Sequence, residues 1–169
     1  MWTEANLIVR SETVEDQAAV HAANTAAFGR PDEAGLVDAL RNEGAVLLSL
    51  VAEFDKRIVG HVLFSRMSIE TVGGSIRAVA LAPLAVLPEC QRQGIGSRLI
   101  RHGLDLLRQR GERLVLVLGD PDYYQRFGFS AEKTRALENP FPPEAFMAIE
   151  LHPGSLIHGK VRYPAAFGL

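Results

Sequence analysis

In the segment Gln91-Arg92-Gln93-Gly94-Ile95-Gly96-Ser97, two glycines stand where an apolar stretch gives way to a helical pattern. A helix start presents backbone N–H groups without intrahelical partners, together with the positive end of the helix dipole. With no Cβ at 94 and 96, an anion approaches those N–H groups closely. Arg92 and Arg98 either add positive charge to such a site or stand as solvated surface. A pyrophosphate is the ligand this turn suits, and a helix start with no ligand is the plainer reading of the same pattern. Two other phosphate sites fail on residue type. A dinucleotide-binding Gly-x-Gly-x-x-Gly finds Leu99 at its last position, and a Walker-type loop needs a Gly-Lys-Ser/Thr that the chain lacks.

Other chemistry has less support. Cys90 adjoins the glycine turn, but no His or Asp at a recognisable spacing makes it a nucleophile, and it reads as a small apolar filler. The five histidines, His21, His61, His102, His152 and His158, include no His-x-x-x-His pair, so no metal site is expected. No Gly-x-Ser-x-Gly elbow occurs.

The elements that must position the turn follow from hydrophobic period. Leu7 to Arg10 predicts a short strand, and Thr13 caps a helix running to about Phe28, with Glu15 and Asp16 in its first turn. Pro31 begins a second helix that Gly44 ends. The period then changes. Val46 to Phe54 and Ile58 to Ile69 predict a hairpin turning at Asp55-Lys56-Arg57, and Gly73-Gly74 leads into a third strand over Ala78 to Leu87. From Ile95 to Arg110 an amphipathic helix returns, with Ile95, Leu99, Ile100, Gly103, Leu104, Leu106 and Leu107 on its apolar face and Gly111 as its cap. Leu114 to Leu118 is a short buried strand. A short helix around Asp122 to Phe127 and strands at Phe146 to Leu151 and Lys160 to Tyr163 complete the order β-α-α-β-β-β-α-β-α-β-β. The expected class is α/β (α+β) with a mixed, largely antiparallel sheet. Its central crossover joins parallel strands through the 95–110 helix.

With 169 residues, 47% hydrophobic and 22% charged, the chain suits one domain over 1–169, its core near 7–151 and a last strand reaching about 167. A net charge of -2 without a Lys/Arg run gives no case for nucleic acid. The longest apolar run, Ala78 to Leu87, is interrupted by Pro83 and is shorter than the roughly 20 residues that span a membrane. The opening Met-Trp-Thr-Glu-Ala-Asn lacks the features of a signal peptide. A single cysteine and these absences make a cytoplasmic location the expectation, and a homodimer is compatible with them.

Gln91-Arg92-Gln93-Gly94-Ile95-Gly96 resembles the Gln/Arg-x-x-Gly-x-Gly/Ala loop of the GCN5-related N-acetyltransferases (GNAT). Leu84-Ala85-Val86-Leu87-Pro88 resembles the strand preceding that loop. Tyr124-Gln125-Arg126-Phe127-Gly128-Phe129 resembles the family's Tyr-x-x-x-Gly-Phe segment. The element order agrees, and the likeness runs from about Leu7 to Leu151. Leu81 to Val86, Gly119-Asp120-Pro121 and Gly159 to Tyr163 are similar to the bacterial YhbS-like branch.

The resemblance implies acetyl-coenzyme A as co-substrate and an amine, small molecule or peptide, as acceptor. It gives Leu84, Ala85 and Val86 to the pantetheine arm, in a gap between 82–87 and 114–118, and Arg92, Gln93, Gly94, Ile95, Gly96 and Ser97 to the pyrophosphate. By the same likeness Tyr124 either protonates the departing thiolate or packs against the coenzyme arm, and Tyr123 is its decoy neighbour. Many members carry a Glu on the central strand, but Ala80 to Leu87 has no carboxylate. Glu89, His61 as acceptor-facing base or satisfied core residue, a base acting through water, and an amine arriving neutral all stay open. A coenzyme A-binding sensor without turnover is the rival reading.

Overall fold

The computed structural model describes residues 3, 5–155 and 158–169. Strand β1 (Leu7–Ser11) is followed by helices α1 (Gln17–Phe28) and α2 (Asp32–Asn42), then strands β2 (Val46–Phe54), β3 (Arg57–Thr71) and β4 (Gly74–Val86). Helix α3 (Ile95–Gln109), strand β5 (Leu114–Leu118) and the single turn α4 (Pro121–Tyr124) come next, before strands β6 (Leu137–Glu138), β7 (Phe146–Glu150) and β8 (Gly159–Arg162). The order matches the expectation, with one strand added. β6 is two residues long and carries no alternation by which it could be read.

The strands form one sheet whose main path is β1-β2-β3-β4-β5-β7, antiparallel except for the β4–β5 pair joined through α3; off this path β6 pairs with β8 in parallel. β8 continues the β2 side of β3, pairing Ser68, Ile69 and Glu70 beyond the point where β2 stops at Ser65. The β2–β3 turn is a two-residue hairpin with Asp55 and Lys56 both left-handed, at φ 50° and 60°. That backbone is the type that matches strand twist, here built without glycine. The first helix starts later than expected: Val14–Asp16 is a 3-10 turn, and Asp16 accepts from the Thr13 backbone N–H at 2.8 Å while pairing with Arg10 at 2.6 Å.

The two faces of the sheet hold different layers. On one, Leu50, Val62, Phe64, Val79, Leu81, Val115 and Val117 meet Leu99, Ile100, Leu104 and Leu107 of α3, all buried. The face read from the sequence is the one buried, save that Leu106 lies partly exposed and Gly96 joins it. Gly103 serves packing: a Cβ there would stand 2.3 Å from the Phe64 ring. On the other face, Val51, Ile58 and Leu63 pack with Val20, Val37 and Leu40 of α1 and α2. Farther along that face Met67, Ile69, Ala80, Leu116, Phe146 and Val161 form a second cluster that receives Tyr163 and Phe167 from the tail. The tail approaches by main chain: a Cβ at Gly159 would lie 2.3 Å from the Glu70 carbonyl oxygen.

Candidate active site

The site begins with a failure of pairing. β4 and β5 run in parallel register from Val79–Val115 to Leu81–Val117 and then separate, while β4 continues to Val86. At the same point Ala82 and Pro83 together oppose the single residue Leu63, a bulge that bends β4 away from its neighbour. Pro83 has no N–H to offer a ladder. The edge of β4 from Ala82 to Val86 therefore faces a gap, not a strand.

The chain leaving this edge turns through Pro88–Cys90 and reaches α3 by a loop in which Arg92 and Gly94 have φ 62° and 84°. Left-handed residues in such a turn make concave arrays of N–H groups. No backbone N–H from Arg92 to Ser97 donates to a protein acceptor among the described residues. A cavity of about 560 Å³ opens there, lined by Leu84, Val86, Gly94, Gly96, Ser97 and the cations Arg92 and Arg126. Tyr123 also lines it, with its Oη so close to Gly96 that a Cβ would stand 2.6 Å away. Arg126 lies over the Tyr123 ring at 4.6 Å. Burial raises the Tyr123 pKa, opposed by the neighbouring Ser97 hydroxyl and the Arg126 and Arg101 guanidinium groups. Donors, two cations and a missing Cβ suit a diphosphate.

A second cavity, about 440 Å³, lies on the α1–α2 side. Its floor is Ala80 to Leu84 of β4 and Leu116 to Leu118 of β5, and its walls come from Phe28, Arg30, Glu33 and Leu36 on one side and from Phe141, Tyr163 and Phe167 on the other. Leu84 lines both cavities. Tyr124 lines this one, its ring laid on Gly119, where a Cβ would be 2.5 Å from Cε2. Asp120 accepts from the Asp122 N–H at 3.0 Å and Pro121 opens the turn, so Gly119-Asp120-Pro121 sets the two tyrosines. Burial, and then the neighbouring Tyr123, push the Tyr124 hydroxyl well above its ordinary pKa.

Of the residues singled out in the sequence, Leu84, Val86, Arg92, Gly94, Ile95, Gly96 and Ser97 come together around the first cavity, and Tyr124 meets Leu84 at the second. Ala85 lines neither; it is buried opposite His61 in the ladder. The Gln93 side chain turns back to the Glu89 carbonyl at 3.4 Å, and Arg98 lines neither cavity. Tyr123 and Arg126 were missed as cavity residues. The one signal for Arg126 is its place two positions beyond Tyr124 in the same segment.

The candidate bases sort clearly. Glu89 pairs with Arg57 at 2.9 Å on the surface, its pKa lowered first by its own backbone N–H and then by Arg57. Burial raises the Cys90 thiol pKa, which suits a filler better than a nucleophile. His61 is fully buried, a satisfied core residue that lines neither cavity. Ser49 donates to Glu12 at 3.0 Å, so its oxygen accepts from His61 Nε2–H at 2.8 Å, and Nδ1 accepts from Asn24 at 3.1 Å. Glu12 is also paired with Arg41 of α2. Desolvation, with a smaller contribution from Arg41, lowers the His61 pKa to about 3, so the ring is neutral.

Comparison with known proteins gives the chain a family. The acetyltransferase (GNAT) domain family model matches residues 9–131, and the chain belongs to this family. It is 40% identical over 134 residues to an uncharacterized N-acetyltransferase, YjhQ, of Escherichia coli K12, covering 76% of this chain and 74% of that one. To the uncharacterized N-acetyltransferase YhbS of the same strain it is 34% identical over 166 residues, 95% and 98% of the two chains. The crystal structure of Escherichia coli YhbS in complex with CoA superposes with a TM-score of 0.90 at 33% identity, over 97% of this chain and 93% of that one. A Brucella melitensis GNAT acetyltransferase in complex with acetyl-CoA gives 0.82 at 38% identity, over 95% and 97%.

Proposed function

We propose that the whole chain acts as one cytoplasmic enzyme domain that transfers the acetyl group of acetyl-coenzyme A to an amine, by direct attack in a ternary complex. One observation carries the reading: the N–H-rich cavity and the apolar cavity meet at Leu84, on the stretch of β4 that β5 leaves. A phosphate-bearing thioester laid along that edge has its diphosphate against Arg92 to Ser97 and its acyl end at Tyr124. Leu84, Ala85 and Val86 supply the backbone of the edge, which otherwise has no strand on that side.

The amine reaches the thioester carbonyl as the neutral base, the C–N bond forms as the C–S bond breaks, and the nitrogen's surplus proton passes to water. Negative charge collects on sulfur, where Tyr124 Oη donates. Because burial raises its pKa, the phenol holds its proton throughout the neutral range. The same shift makes it a reluctant acid toward a thiol of ordinary pKa about 8.5, so its contribution falls at the lower end of the usual 10²–10⁴-fold range for general acids. The test is thiol release from acetyl-coenzyme A across a panel of amines, peptides and small metabolites. Turnover is expected. A protein that binds the coenzyme and turns over nothing is a sensor.

A further inference from the structure

The apolar cavity carries two charged side chains, Arg30 and Glu33, bound to each other with Arg30 Nε at 2.6 and 3.1 Å from the two carboxylate oxygens. Glu33 is largely withdrawn from solvent, its side chain 12% exposed, whereas that of Arg30 is 62% exposed. A carboxylate accepts several hydrogen bonds, so one guanidinium nitrogen leaves Glu33 with acceptor capacity. Phe141, Tyr163 and Phe167 stand in a row of edge contacts with centroids 5.6 and 5.0 Å apart, and Phe28 adds a further ring.

Resting on the transfer reading above, we infer that the acceptor is a small monoamine with an aromatic body, its ring against Phe141, Tyr163 and Phe167 and its uncharged amino group donating to Glu33. The volume is that of a small-molecule site. Arg30 already balances Glu33, so a monoamine entering uncharged fits the cavity, whereas a polyamine would bring cations into an apolar space with no counter-charge. A lysine side chain would satisfy Glu33 but leave the aromatic wall uncovered. Edge-to-face and offset packing reward a flat ring there.

Two measurements test this, one independent of turnover. Binding of 2-phenylethylamine, hexylamine, spermidine and a lysine peptide to the protein saturated with free coenzyme A should favour 2-phenylethylamine by about tenfold or more over the rest. Glu33→Gln should weaken that binding, or raise KM with kcat little changed, by about tenfold or more, the worth of a charge-assisted hydrogen bond. Phe141→Ala should weaken 2-phenylethylamine and leave hexylamine nearly unmoved. Spermidine or the peptide binding best, or Glu33→Gln having no effect on 2-phenylethylamine, overturns the inference even if acetyl transfer proceeds. Tight, Glu33-dependent binding of 2-phenylethylamine without thiol release from acetyl-coenzyme A upholds it and overturns transfer instead.

Discussion

The two cavities on either side of Leu84 are built in opposite ways. The one beside α3 takes most of its lining from one contiguous run, 84 to 97, and its donors are main-chain N–H groups at a helix start. The one on the α1–α2 side is assembled from side chains brought from six parts of the chain, between Phe28 and Leu169. Adjacent tyrosines divide between them, Tyr123 to the first and Tyr124 to the second. Under the proposed function, backbone would hold the co-substrate that a family shares, and side chains would hold the acceptor peculiar to one protein.

That division is most exposed to test at the tyrosine pair. Tyr124→Phe keeps the ring on Gly119 and removes the donor, so turnover should fall by about 10²-fold while coenzyme affinity stays within a few-fold. Tyr123→Phe should do the reverse, moving affinity through Ser97 and Gly96 and sparing turnover. Steady-state rates with a working acceptor, set beside calorimetric affinities, read both. An exchanged pattern places the acid on the other tyrosine.

Next in size is coenzyme binding to the fold. At about 100 times its dissociation constant, acetyl-coenzyme A should stabilise the protein by roughly 2.7 kcal/mol. Thermal denaturation should shift upward with it and scarcely with NAD or ATP; equal shifts with all three would leave the turn without its selectivity. Gly96→Val sharpens the contrast within α3. It should weaken acetyl-coenzyme A by about tenfold or more, because the added carbons occupy the approach to the N–H groups and displace Tyr123 Oη. Circular dichroism should barely change. Gly103→Val, seven residues on in the same helix, collides with Phe64 in the core and should cost about 1–3 kcal/mol of stability in urea titration.

A further contrast concerns the buried histidine under the α1–α2 wall. His61 has a pKa of about 3 when folded and its ordinary 6.5 when unfolded, so between these values only the unfolded chain takes the proton. Its contribution is whole above about pH 6.5 and declines by about 1.4 kcal/mol per unit as pH falls toward the folded value. Urea titrations at about pH 7 and pH 5 should show this loss, and His61→Gln, though less stable at neutral pH, should show a shallower slope. Parallel slopes would mean the ring is not held neutral.

What could be read in advance follows the same line. The turn at Gly94 and Gly96, the apolar face of α3 and the crossover through β4 and β5 are local patterns, so period and residue type reveal them. The His61 chain through Ser49 to Glu12 joins three distant segments, and nothing in any of them marks the other two. β6, two residues long, exists only because β8 lies beside it. Glu33 and the ring row of Phe141, Tyr163 and Phe167 likewise become a site only when α2 and the tail close on the same stretch of β4. Arg126 is different: it lies inside the Tyr-x-x-x-Gly-Phe segment, at a position where residue type alone does not separate a cavity-lining arginine from a solvated one.

Gly159 gives the tail a further meaning. Its bare main chain rests on the Glu70 carbonyl, and from there β8 carries the chain on to Tyr163 and Phe167 in the wall of the apolar cavity, without touching the turn at Arg92 to Ser97. A side chain at 159 would push the tail off the sheet edge and open that wall while leaving the glycine turn as it stands.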